Sequence, residues 1–127
     1  MMTDWIKAYN TMDLDLMSSL YSHSPKTSSF SPRIGYPFLF QGWEVIGKSW
    51  ESDFKMPEGT VSISSHNTEV TMLGNNVAII TGYNNAVVNP PAMEQQTIYQ
   101  VRQTFVVQKI GGKWLIVHEH ASFFPEE

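Results

Sequence analysis

The chain has 127 residues, enough for one domain with a sizeable core, and the sequence therefore predicts a single domain over residues 1–127. A net charge of −4 and the lack of any Lys/Arg cluster argue against a nucleic-acid groove or an anionic membrane surface as partner. The sequence contains no cysteine, no secretory signal pattern and no apolar run of membrane-spanning length, so we expect a cytoplasmic protein without disulfides.

The first 21 residues carry the pattern of an amphipathic helix. From Thr3 onward, apolar residues recur every three or four positions, and Thr3 is the predicted N-cap. Asp13 is also suited to cap a second short helix. The segment is therefore either one kinked helix or two.

The middle of the chain is interrupted by prolines and glycines. Residues 22–41 are predicted to form a loop with short strands at 27–31 and 38–40. The stretch 32–37 is a candidate for the rim or lid of a pocket. A further helix is predicted over 42–54, because its aromatic residues fall on one helical face.

Four strand patterns fill the rest of the chain, over 61–73, 77–88, 93–109 and 113–124. Turn compositions separate them, and a bulge is expected near His66. Helices followed by consecutive antiparallel strands define an α+β domain. We expect a cone-shaped barrel in which a strongly curved antiparallel sheet wraps the N-terminal helices.

The last strand carries two histidines two positions apart. Simple alternation places one set of residues on one face of this strand, namely Trp114, Ile116, His118 and His120. Both faces of the strand begin apolar, so we expect helices to cover one and another sheet to cover the other. This predicts a homodimer formed through the outer sheet face.

The position of Arg102 relative to these histidines depends on the turn that joins the last two strands. A two- or four-residue turn puts Arg102 on the face of Glu119. A three-residue turn with Gly111 in the left-handed conformation puts it on the face of His118 and His120, and we favour this turn because Gly111 suits it.

An arginine beside two histidines predicts a binding site. We expect Arg102, His118 and His120 to lie in the wall of a largely apolar pocket that holds a small apolar molecule with a carboxylate, enol or carbonyl. His118 and His120 are the candidate catalytic residues, because histidine transfers protons near neutral pH. Four further candidate lining residues are aromatic: Trp43, Trp50, Phe54 and Tyr83. The alternative is structural, with Arg102 paired to a carboxylate and the histidines bonded to backbone.

A metal site is the other chemistry that this histidine pair suggests. Two histidines two apart on a strand point the same way, but no third ligand is evident on that face and the chain has no cysteine. We therefore predict no metal and no other cofactor.

Two sets of residues resemble a known family. Arg102-x-Thr104 with Gly112-Lys-Trp114 and His118-x-His120 resembles the SnoaL-like branch of the nuclear-transport-factor-2-like superfamily. The last strand also resembles the association domain of calcium/calmodulin-dependent protein kinase. Upstream, the helix that opens with Gly42 resembles the middle helix of the family. The resemblance spans nearly the whole chain and implies the cystatin-like α+β roll.

The activity that the resemblance implies is open, because this superfamily includes isomerases, cyclases, dehydratases, transport factors and oligomerisation modules. Isomerase-like members carry an acidic base before a proline, where this chain has Ser31, and an unassisted hydroxyl is a poor base. We expect a small-molecule-binding protein, either a cofactor-independent lyase, isomerase or cyclase acting on a small apolar carbonyl or carboxylate compound, or alternatively a non-catalytic dimerisation or interaction module.

Overall fold

The structure is a computed structural model that describes residues 1–31, 39–55, 60–88 and 97–123. The predicted pocket rim at 32–37 and the predicted strand start at 93 lie outside these residues.

The described residues form three helices, α1 (Met2–Asn10), α2 (Leu14–Ser19) and α3 (Trp43–Asp53). The N-terminal segment is thus two helices, and Asp13 caps the second by accepting a 3.0 Å hydrogen bond from the Leu16 amide. The prediction that Thr3 caps the first helix is wrong. That helix already begins at Met2, whose side chain is buried in the core.

Within the described ranges, six strands form one sheet in the order β2-β1-β6-β5-β4-β3. Their bounds are β1 Ser28–Phe30, β2 Phe40–Gln41, β3 Val61–Met72, β4 Val77–Val88, β5 Thr97–Ile110 and β6 Lys113–Phe123. The last four strands pair consecutively and antiparallel, which confirms the prediction. Because β1 pairs with β6 in parallel, the sheet as a whole is mixed.

The predicted bulge in β3 is present, because the register against β4 shifts between His66 and Glu69. Asn67 within it has a positive φ of 53°. Gly82 lies opposite, where an added Cβ would come within 3.2 Å of the His66 carbonyl oxygen. The bulge therefore brings the two backbones close, and glycine leaves room for that approach.

The helices pack on one face of the sheet, called the inner face here. The Trp5 ring of α1 lies 5.4 Å from the Phe105 ring of β5 and 5.8 Å from the Trp50 ring of α3. Contacts between aromatic side chains therefore pack both helices against β5. The opposite, outer face was expected to lie under a second sheet. The described residues form only one sheet, so they provide no such cover.

Candidate functional site

The turn between β5 and β6 differs from the predicted one. Ile110 pairs with Lys113, so the turn contains only Gly111 and Gly112, with φ values of 58° and 81°. Two consecutive positive φ values are typical of a two-residue hairpin turn, which two glycines form without strain. The favoured three-residue turn is therefore wrong.

A second irregularity reverses the effect of this turn. Val107 pairs with Ile116 while Val106 pairs with His118, so Val117 is an extra residue in β6. Ile116 and Glu119 both point to the inner face, with exposures of 0% and 6%. The prediction that Ile116 shares a face with His118 and His120 is wrong, because one bulge residue shifts the alternation.

The bulge also decides where Arg102 lies. Arg102 pairs with Ser122, and Thr104 pairs with His120, so Arg102 shares a face with both histidines. The favoured arrangement is thus present, although its cause is the bulge and not the turn. That face is the outer one, however, and none of the three residues lines the pocket inside the fold.

The histidines form a small cluster on the outer face. The Ser28 hydroxyl lies 2.7 Å from Nδ1 of His118, and the Phe30 ring lies 5.4 Å from both imidazole rings. Burial and the neighbouring His120 lower the pKa of His118, although its contact with Ser28 acts in the opposite direction. The lowered pKa favours the neutral form of His118.

The predicted aromatic lining residues separate in the structure. Trp50 lines the internal cavity, but Trp43 stacks on His23 at 4.4 Å, between α2 and α3. Tyr83 stacks on His66 at 5.2 Å on the outer face. Phe54 packs against Trp50 without lining the cavity, which leaves Trp50 as the predicted residue that does line it.

The cavity lies between the two longer helices and the inner face and has a volume of about 240 Å³. Its size suits a small molecule, since an apolar cavity of roughly 150 Å³ already binds benzene. Its aromatic and aliphatic lining includes Trp5, Tyr9, Trp50, Val61, Ile63, Ala86, Val88 and Val101. Its polar lining residues are Ser29, Ser31, Asn84, Gln103 and Glu119.

Glu119 is the acidic residue in this lining, and hydrogen bonds hold its carboxylate in place. The Tyr21 hydroxyl donates to Oε2 at 2.7 Å and the Ser29 hydroxyl donates to Oε1 at 2.9 Å. Trp5 Nε1 donates to the Tyr21 oxygen at 3.2 Å, which directs the Tyr21 proton toward Glu119. Burial, followed by the charge of Glu119, raises the pKa of Tyr21 well above 10.0, so Tyr21 stays a donor.

Two buried amides continue the polar part of the cavity. Asn84 is 2% exposed and Gln103 is 4% exposed. Oδ1 of Asn84 has no hydrogen-bond partner among the described residues. An unpaired buried acceptor costs about 1–3 kcal/mol of stability.

If the side chains of β6 alternated regularly, Glu119 would lie on the face away from the predicted site. The sequence analysis for this reason did not include Glu119 among the site residues. Ser31, which stands where isomerase-like members carry a carboxylate, does line the cavity. The carboxylate of this cavity comes instead from β6. A burial pattern in which Ile116 and Glu119 are both internal is the signal that would have found it, but that pattern requires the bulge.

In the part of the chain that the structure describes, no three His, Cys, Asp or Glu side chains come together where they could hold a metal ion. Nor is any described helix both long and apolar enough to cross a bilayer.

This combination of helices and sheet is the nuclear-transport-factor-2-like α+β fold. A protein of this type and of unknown function from Pseudomonas putida superposes with a TM-score of 0.79 at 21% identity, covering 95% of this chain and 80% of that one. A nuclear transport factor 2 superfamily protein from Salmonella enterica gives a TM-score of 0.78 at 21% identity, with 98% and 87% covered.

The chain belongs to the SnoaL-like domain family, whose model matches residues 1–126. The association domain of the C. elegans calcium/calmodulin-dependent protein kinase II is also similar, with a TM-score of 0.74 at 18% identity, covering 95% of this chain and 88% of that one. No curated protein matches the sequence. At these identities the solved structures show the fold alone.

Proposed function

We propose that this protein binds a small, largely apolar molecule in the cavity between its helices and the inner sheet face. The observation that carries the proposal is a buried carboxylate, fixed by two hydroxyl donors, at the wall of an aromatic cavity. Apolar walls with a few convergent polar groups are the usual composition of a ligand site.

Burying the polar side chains of the cavity wall costs free energy. A cavity that served only packing would be filled by apolar side chains, as the neighbouring part of the inner face is by Phe105 and Ile116, which are fully buried. Glu119, Gln103 and Asn84 lie instead at or near the centre of the sheet. Binding of a partner for these groups offsets the cost of burying them.

Catalysis in this family fold would use the same cavity. For lyase, isomerase or cyclase chemistry without a cofactor, the proton acceptor that we propose is Glu119, because its carboxylate faces the cavity. His118 and His120 lie on the other side of the sheet. Their role as ligand-binding or catalytic residues stays a prediction, and it concerns the outer face.

A fragment screen by ligand-detected NMR tests the binding proposal. Val101 lines the cavity, whereas Val106 lies on the outer face of the same strand. We expect Val101→Phe to abolish binding of fragments that the wild type binds and Val106→Phe to retain it. A screen without hits, or hits that survive Val101→Phe in a folded protein, would contradict the proposal.

We also propose that the chain forms a homodimer through the outer face of its sheet. Support comes from the half-buried apolar side chains of that face, among them Ile79 and Val106, which no described element covers. The similarity to a kinase association domain also supports an assembly role. An interaction module would use this surface whether or not the cavity binds a ligand.

Sedimentation equilibrium at micromolar concentration tests the dimer. Val106→Lys places a charge in the proposed interface and should shift the protein to monomers. Val70→Lys is the matched control, since Val70 is 60% exposed and lies at the edge of the sheet on the inner face. A monomeric wild type would exclude the dimer, and dissociation by Val70→Lys alone would place the interface at that edge instead.

A further inference from the structure

The charge in the described lining of the cavity is of one sign, negative. This lining contains the carboxylate of Glu119 and no Lys, Arg or His. The sequence had suggested the opposite, an arginine and two histidines that bind an acid. Those three residues lie across the sheet from the cavity. The charge selectivity of the cavity therefore depends on the groups inside it.

Hydroxyl donors reach both oxygens of Glu119, Tyr21 at 2.7 Å and Ser29 at 2.9 Å. Since the Tyr21 oxygen already accepts from Trp5, its own proton is directed at Glu119. Donors on both oxygens favour the ionised form of a carboxyl group, and so does a cation bound beside it. A bound ammonium ion would therefore meet a carboxylate at this wall.

The polar side chains run diagonally across three strands. Glu119 of β6 pairs with Phe105, two residues from Gln103 on the same face of β5. Asn84 of β4 pairs with Val101, two residues from Gln103 in the other direction. Diagonal neighbours of this kind lie about 7–8 Å apart. One small molecule is able to reach Glu119 and an amide together.

The remaining wall favours a cation as well. The rings of Trp5, Tyr9 and Trp50 line the cavity and are mutually close, at 5.7–5.8 Å. Aromatic faces attract an ammonium group, most strongly where water is excluded. A ligand carboxylate would instead meet the like charge of Glu119, which is unfavourable.

From these contacts we infer that the cavity selects small primary amines with an apolar body, bound as ammonium ions by Glu119. The inference rests on the proposed function and adds the charge class of the ligand. The cavity of about 240 Å³ has room for on the order of ten non-hydrogen atoms, by comparison with benzene in a smaller one. The apolar body lies against the tryptophans.

Isothermal titration calorimetry of the full chain at pH 7 tests the inference with three molecules of similar shape. They are 2-phenylethylamine, a cation at this pH, 2-phenylethanol, which is neutral, and phenylacetate, an anion. We expect the amine to bind the wild type at least about tenfold more tightly than either of the others. Glu119→Gln should remove that preference, because it keeps the shape of the side chain and removes its charge.

Glu69→Gln is the matched control, since Glu69 is exposed on β3 and its loss changes the net charge equally. It should retain the preference for the amine. A preference that also survives Glu119→Gln would overturn the role of Glu119. If the alcohol or the acid binds the wild type as tightly as the amine, the charge inference is wrong while the binding proposal stands. If none of the three binds, both fail. If Glu119→Gln does not fold, the affinities of the three molecules for the wild type still test the charge inference.

Discussion

Tyr21 connects the core of the protein to its candidate site. Its side chain is 2% exposed, and its one hydroxyl both accepts from Trp5 and donates to Glu119. A neutral phenol is suited to this position because it serves both partners at once. The orientation of the Glu119 carboxylate therefore depends on a residue outside the cavity lining.

Replacing Tyr21 with Phe should destabilise the protein. The change leaves a buried indole N–H and a carboxylate oxygen each short of one partner, and such losses cost about 1–3 kcal/mol. Urea denaturation measures the free energy of unfolding. Tyr83→Phe on the outer face is the control and should change it by less than about 0.5 kcal/mol. Equal effects of the two substitutions would contradict the role of the Tyr21 hydroxyl.

His118 should make stability depend on pH. Burial and His120 lower its pKa in the folded state below the ordinary 6.5 that the unfolded chain has. As pH falls below 6.5, the unfolded state takes up the proton first, so the stabilising effect of neutral His118 is lost. NMR titration should find the His118 pKa below 6.5, and the fall of unfolding free energy from pH 7 to pH 5.5 should be smaller in His118→Gln. A His118 pKa at or above 6.5 would contradict this.

At the scale of the element, β6 decides which side chains reach the cavity. Its side chains alternate between the faces, except at Val117, where the register shifts by one residue. Before the bulge Ile116 is internal, and after it Glu119 is internal, an odd spacing that a regular strand does not allow. The bulge is thus what brings the carboxylate inside and keeps the histidines outside.

Deleting Val117 tests its assignment as the extra residue. Val106 pairs with His118 and Val107 pairs with Ile116, so the deletion makes the register continuous and leaves Ile116 and Glu119 internal. We therefore expect the deletion variant to fold. Deleting Val106, at the facing regular position of β5, is the control. It would turn Phe105 or Val107 out of the core, at a cost of more than about 2 kcal/mol in unfolding free energy. Urea denaturation measures both, and an equal loss in the two variants would contradict the assignment.

At the scale of the whole molecule, the helices fill one part of the inner face and leave another part open. Ala78, Phe105 and Val107 are buried at 0–2% exposure, whereas Ala86 and Ala121 line the cavity. Empty volume inside a fold gives up packing contacts. A protein that keeps such a cavity is less stable than its packing would allow, as expected of a binding site.

Filling the cavity should therefore raise stability and remove binding. Ala121→Leu adds apolar volume where space exists, and we expect the unfolding free energy to rise by up to about 1 kcal/mol while fragment binding is lost. Ala78→Leu makes the same change in the packed region and should destabilise by about 1–3 kcal/mol. Thermal melts and the NMR binding assay measure both effects. Loss of stability in Ala121→Leu, or retained binding, would contradict the open cavity.

Much of the fold could be predicted from local patterns. The cap at Asp13, the helix over Trp43–Asp53 and the four antiparallel strands follow from side-chain periodicity and turn composition, which act within a few residues. The bulge near His66 was also predicted. The candidate site was predicted less well, since Trp50 lines the cavity but Arg102, His118 and His120 do not.

By itself, the sequence determined the elements, their order and the α+β class, because each depends on local hydrophobic periodicity. The tertiary structure alone decided which face of β6 each functional residue occupies. Periodicity assigns faces only while a strand is regular, and one unpaired residue, Val117, exchanges them for every residue that follows. Whether that residue bulges depends on the pairing of β6 with β5 and on the burial of Ile116 and Glu119, which no local pattern contains.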